Sequence, residues 1–115
     1  MIKIDPRDKG PMKINVGRRL MEVRETFGHN QTEFAEKIGL PDKQSLVSMY
    51  ERGARMLPPD IAVRIWEVFQ ITTDWMYRGD PGTLNPAIWQ MLRDTRSRLE
   101  AEEAAKQIKA KKMRA

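Results

Sequence analysis

Apolar residues recur along this chain at helical spacing, and nowhere do they alternate as in a strand. Val16, Leu20, Val23 and Phe27 fall at i, i+4, i+7 and i+11, one stripe on a helix of about 14–27 that Gly28 ends. Phe34, Ala35 and Ile38 form the inner face of a second helix, about 31–38. Asn30 can cap it, Glu33 three residues on makes a capping box, and Gly39 ends it. Leu46, Val47 and Tyr50 share one side of a third helix, about 43–52, with Asp42 after Pro41 as its N-cap and Gly53 as its stop. Gln44, Ser45, Ser48 and Met49 lie mostly on the other side. Ile61, Ile65, Val68 and Phe69 stripe a fourth helix, about 59–69, whose start is set by Pro58 and Pro59. Thr72 or Thr73 can cap a short fifth helix through Arg78, closed by Gly79-Asp80-Pro81-Gly82. A last helix, about 86–110, is charged throughout, with Ile88, Leu92 and Leu99 as a thin apolar seam. There is no internal repeat. The pattern predicts an all-α chain.

Two short helices joined through a glycine turn have helix-turn-helix geometry. Helices 2 and 3 cannot each bury enough surface alone, so helices 1, 4 and 5 must supply the missing core. That leaves the outer face of helix 3 free to enter a major groove, which is wide enough for one helix. The expected organisation is a mobile arm over 1–13, where Pro6, Gly10 and Pro11 sit among mixed charges, then one domain over 14–82. A C-terminal helix and basic tail over 83–115 follow.

Composition narrows this picture. With 115 residues, 40% of them hydrophobic, one small core is expected. The absence of cysteine excludes a disulfide framework and a thiolate metal site. The opening "MIKIDPRDKGPMK" has no apolar run fit for a signal peptide, and no stretch has the roughly 18 apolar residues of a membrane span. A soluble protein of a reducing compartment, the cytoplasm, is the expectation, with no membrane partner. The net charge of +5 suits a polyanionic partner, but it divides as +3 over 1–28, −2 over 29–85 and +4 over 86–115. Charge alone therefore does not make the central body a nucleic-acid binder.

The stretches "GRRLMEVRE", "NQTEFAEKIG", "LVSMYERG" and "DWMYRGD" follow one another in a specific order and spacing. Through them, residues 16–80 resemble a phage-repressor-like (Xre-type, lambda repressor-like) helix-turn-helix domain. The resemblance implies a five-helix domain, here with an additional C-terminal helix, and double-stranded DNA as partner. It matches Gln31 to a phosphate contact at the start of helix 2, where helix N-termini favour anions. It matches Ala35 and Val47 to the small and branched residues that let helices 2 and 3 cross closely. Arg24 and Glu51 match a structural pair tying helix 1 to the end of helix 3. Gln44, Ser45, Ser48 and Met49 match the outward, base-reading face. The chemistry fits: glutamine can pair two-pronged with adenine, serine can donate or accept, and Met49 can touch a thymine methyl. Lys43 and Arg55 flank that face and can bind phosphates, which sets affinity and salt dependence rather than sequence. Between Gly39 and Val47 the chain runs about two residues longer than the common family pattern, the extra length falling in Leu40-Pro41-Asp42-Lys43. The reading face has no arginine, so a guanine-rich site is not suggested.

Plainer readings stand beside these. Phe27, Phe34, Tyr50, Trp66, Phe69 and Trp75 are expected in the core, with Trp66 or Trp89 in a dimer interface as the alternative. His29 reads as a loop residue beside a cap, with no second ligand for a metal. No carboxylate pair is set by a motif for acid–base work, and no phosphate loop, Ser-His-Asp set or H-E-x-x-H occurs. An enzyme, a cofactor and a metal are not expected. The terminal "KQIKAKKMRA" reads as a solvated helix end, with non-specific phosphate binding or a partner-binding helix through Ile88, Met91, Leu92 and Leu99 as sharper readings. The function expected is a sequence-specific DNA-binding regulator, a repressor, acting as a homodimer on a near-palindromic operator. Two alternatives stay open: an antitoxin whose C-terminal helix holds a toxin, and a protein-interaction module on the same fold.

Overall fold

A computed structural model describes residues 4–114. Its elements are α1 (Met12–Thr26), α2 (Gln31–Lys37), α3 (Gln44–Glu51), α4 (Pro59–Phe69), α5 (Thr73–Arg78), a 3-10 turn (Pro81–Thr83) and α6 (Pro86–Arg114). No strand occurs among the described residues, and the class is all-α, as the apolar spacing predicts. The α1 stripe of Val16, Leu20 and Val23 packs in one core with Phe34, Val47, Ile65, Trp75 and Leu92, all at most 1% exposed. Each such side chain contributes about 1.5–3 kcal/mol by leaving water.

The first three helices end alike, and the reason is local. In each, a glycine takes the left-handed conformation and two backbone N–H groups turn back to otherwise unpaired carbonyls. For α2, Gly39 has φ 77°, its N–H donates to Glu36 O at 3.2 Å, and the Leu40 N–H donates to Ala35 O at 2.8 Å. These closures keep α2 and α3 short, with α3 packed on α1 and α2 packed on α3. Gly17 has a different role. A Cβ there would lie 2.3 Å from Tyr50 O and 2.6 Å from Glu51 O, so glycine lets α1 touch the backbone at the end of α3.

Four expectations need correction. The first concerns the segment expected to be a mobile arm. Residues 1–3 lie outside the described residues, but Asp5, Arg7 and Asp8 are tied to α1 by ion pairs with Arg19, Glu22 and Arg18. Asp5 is 3% exposed, and α1 begins at Met12 rather than near 14. The mixed charges that suggested mobility are matched by partners on α1. The second is Asp42, which is not the N-cap of α3. It has φ 61° and occupies the third position of a turn closed by the Lys43 N–H donating to Leu40 O at 3.1 Å. Proline second and a left-handed residue third is the pattern of a type II turn, which aspartate tolerates. Lys43 becomes the N-cap position, with no side-chain cap bond. The longer 40–43 stretch is thus a second turn placed after the glycine closure.

The third is Trp66, which is 51% exposed, with Val68 46% exposed beside it. The face of α4 that reaches the core is centred on Ile61, Ala62, Ile65 and Phe69, and both residues fall off its edges. Of the other aromatics, Phe34, Tyr50, Phe69 and Trp75 are buried, and Phe27 lies half-buried with its ring 4.7 Å from Phe69. The fourth is the end of the last helix. It continues to Arg114, and from Glu100 onward every described residue is exposed.

Candidate nucleic-acid interface

One side of α3 is spent on the core. Val47 is fully buried and Tyr50 is 5% exposed, with Leu46 packed beside them. The period of 3.6 then turns Gln44, Ser45, Ser48 and Met49 away from the body. Gln44 and Ser45 are exposed, while Ser48 and Met49 are half-buried at the base of the same face. Lys43 and Arg55 are exposed at the two ends of α3. Arg52, which the residue pattern did not single out, is exposed between Glu51 and Gly53.

A chain of hydrogen bonds fixes that face. Arg24 on α1 donates from Nε to Glu51 Oε2 at 2.7 Å and from Nη2 to Glu51 Oε1 at 3.0 Å. Its remaining nitrogen, Nη1, donates to His29 O at 3.0 Å. The two-pronged geometry matches a planar guanidinium to a planar carboxylate. The hydrogen bond to Glu51 makes the guanidinium hold its proton even more tightly than usual, despite the opposing cost of burial. Gln31, the first residue of α2, donates from Nε2 to Glu51 Oε1 at 3.1 Å. Gln44 in turn donates from Nε2 to Gln31 Oε1. The end of α3, the start of α2 and the start of α3 are therefore held in one line from α1.

The start of α2 is fixed independently by its capping box. The Glu33 N–H donates to Asn30 Oδ1 at 2.8 Å, and the Asn30 N–H donates to Glu33 Oε1 at 2.9 Å. At its other end, Arg64 of α4 donates from Nη1 to Ile38 O at 3.4 Å and to Gly39 O at 3.3 Å. Arg64 carried no sequence signal, since nothing local says that a residue of α4 reaches the turn after α2.

Comparison with known proteins identifies the helix-turn-helix. The family model for the helix-turn-helix matches residues 20–76. Residues 20–76 belong to the phage-repressor-like helix-turn-helix family. Among relatives, an HTH-type transcriptional regulatory protein of Pyrococcus furiosus is 43% identical over 53 residues, 46% of this chain and 16% of that protein. The HTH-type transcriptional regulator ImmR of Bacillus subtilis is 30% identical over 67 residues, 58% of this chain and 51% of that protein. The chain thus spans about half the length of the Bacillus relative it matches, and a smaller part of the Pyrococcus one. No solved structure matches the chain significantly.

The helix-turn-helix match begins at Leu20 and ends at Met76, and a second polar network lies largely around its borders. Arg19, fully buried, donates from Nε to Met76 O at 2.8 Å, from Nη2 to Tyr77 O at 3.1 Å, and from Nη1 to Asp8 at 2.8 Å and Asp5 at 3.2 Å. Glu22, 1% exposed, accepts from Arg7 at 2.8 Å and from Arg96 of α6 at 3.3 Å. This network joins the segment before α1, the end of α5 and the first half of α6 to the helix-turn-helix domain. Arg19 flanks the apolar stripe of α1, but its position there does not say which partners it meets. No helix among the described residues is long and apolar enough to cross a membrane.

Proposed function

We propose that this chain is a sequence-specific DNA-binding transcriptional regulator, a repressor acting in the cytoplasm as a homodimer, which reads the major groove with the Gln44, Ser45, Ser48 and Met49 face of α3. The observation that carries the reading is the hydrogen-bonded line Arg24–Glu51–Gln31–Gln44. It orients an exposed amide on the outer face of a helix whose inner face is locked in the core. Gln44 spends one N–H on Gln31. It keeps the other N–H and its carbonyl, the pair that a two-pronged contact with adenine N7 and N6 requires. Lys43 and Arg55 are the phosphate contacts at either end of the face, and Gln31 is a third at the start of α2. The regulator names of both relatives support the same reading.

Selection from a randomised duplex pool at low and moderate salt tests it. A consensus site is expected whose binding weakens as salt rises. On that site Gln44→Ala should cost about 1–3 kcal/mol and relax one base position. Lys43→Ala and Arg55→Ala should weaken binding to all sequences and lower the salt slope by about one each. A pool with no enrichment overturns the function. A consensus bound equally well by Gln44→Ala and Ser48→Ala overturns the reading face.

A further inference from the structure

The last half of α6 has a composition that its contacts do not explain. Residues 100–114 form helix, yet none of them is buried. This segment propagates from the packed first half of α6, so its nucleation is already met, but its apolar atoms gain nothing from the tertiary packing that supplies most helix stability in proteins. Two patterns are written on this segment. Ala101, Ala104, Ala105 and Ile108 fall at i, i+3, i+4 and i+7, a narrow stripe on the side of α6 opposite to Leu92 and Leu99. Ile108 is 57% exposed. The charges are also segregated. Glu100, Glu102 and Glu103 come first, and then Lys106, Lys109, Lys111, Lys112 and Arg114 follow with no acidic residue among them.

We infer that this face is a docking surface for the α6 of a second copy, laid antiparallel. Orientation is decided by charge. A parallel pair would set five cations against five, which is repulsive. An antiparallel pair lays the acidic start of each helix over the basic end of the other. With the two-fold midway between Ala105 and Lys106, Glu100 faces Lys111 of the second copy and Glu102 faces Lys109. Both pairs flank the alanine stripe on matching sides. Small residues in the stripe let the two backbones approach closely, and Ile108 covers alanines of the opposite helix. Glu100, Lys109 and Lys111 make no ion pair among the described residues, and Glu102 has only Arg98, at 3.0 Å, as partner. Because the stripe points away from Leu92, the two bodies lie on the outside of the pair and do not obstruct it. This gives a surface to the homodimer proposed above and rests on that reading for the number of copies, but not on DNA binding.

Sedimentation equilibrium of the full chain over a wide concentration range tests the inference, with circular dichroism to check that each variant keeps its helix. The wild-type chain should show a monomer–dimer equilibrium. Glu100→Lys with Glu102→Lys should shift it to monomer, as should Lys109→Glu with Lys111→Glu. An equimolar mixture of these two variants should recover the dimer as a mixed pair. A monomer at all concentrations overturns both the surface and the homodimer. A dimer that neither double variant weakens overturns the surface alone and moves the contact elsewhere. If the lysine reversals lower duplex affinity without changing mass, the basic end serves DNA phosphates and the docking surface is wrong.

Discussion

Two polar networks hang from α1, on different sides, and they are built to opposite ends. The first runs from Arg24 through Glu51 and Gln31, all part-buried, to Gln44, which is exposed. The second, around Arg19 and Glu22, becomes more buried toward its centre, where both side chains are at most 1% exposed. The first is a cantilever that presents a group to something outside. The second is a clamp that satisfies its members among themselves. Burial decides what each contributes: a desolvated ion pair is costly to break, whereas an exposed one contributes little to stability. Reading the residue types alone would give both networks the same description.

The largest effect should come from the centre of the clamp. Arg19→Ala removes a fully buried cation, takes the donor from the Met76 and Tyr77 carbonyls, and leaves Asp5 and Asp8 with only their Arg7 and Arg18 partners to offset burial. Urea denaturation should show a loss of about 3–5 kcal/mol. A loss below about 1 kcal/mol would mean that water enters the site and that the clamp is no clamp.

Arg24→Ala tests the inner end of the cantilever. Its charge-assisted bonds to Glu51 are partly exposed, so the expected loss is smaller, about 2–3 kcal/mol. Binding to a selected duplex should fall as well, because Gln31 and Gln44 lose their fixed anchor. If Arg24→Ala proved as destabilising as Arg19→Ala, with no effect on duplex binding, the two networks would not differ in kind.

The contrast also bears on what was legible in the sequence. Helix positions, caps and glycine stops were readable because they follow from contacts within a few residues, as at Asn30, Glu33 and Gly39. The outward turn of Gln44 was readable from the helical period, and the Arg24–Glu51 pairing from the family resemblance. The clamp was not, because it joins Asp5, Arg19, Met76 and Arg96 from four parts of the chain, and no local pattern says that a charged residue will find a buried partner. The same gap made the segment before α1 look mobile. Trp66 misled for a related reason: its size favours burial, but its angular position on α4 lies off the core face. The turn at Asp42 needed a backbone torsion, which residue type suggests only weakly.

Acid should distinguish the networks next. Burial pushes the Asp5 carboxyl up, but the Arg7 hydrogen bonds and charge outweigh it and hold the group well below the usual carboxylate range. In the unfolded chain Asp5 takes a proton near pH 4. Its contribution is therefore complete above about pH 4 and declines as pH falls through the depressed folded value. Urea melts should show a stability loss below about pH 4 that Asp5→Asn makes shallower, with the variant about 1–2 kcal/mol less stable near neutrality. An identical acid limb in the variant would remove Asp5 from the clamp.

The smallest effect on stability should come from Gln31→Ala, and it separates the networks most cleanly. Gln31 stands at the partly exposed start of α2, where the capping box of Asn30 and Glu33 holds the helix without it. Its removal leaves Glu51 with both Arg24 bonds, so stability should fall by no more than about 1 kcal/mol, the net worth of one hydrogen bond. It should nevertheless release Gln44, which then samples several rotamers and must be ordered when it meets a base. Duplex affinity should therefore drop several-fold, and Gln44→Ala should cost less in the Gln31→Ala background than alone. That coupling, read from a double-mutant cycle on the selected site, is what a cantilever predicts. Strict additivity would mean that Gln31 and Gln44 act independently on DNA, and that their hydrogen bond orients nothing.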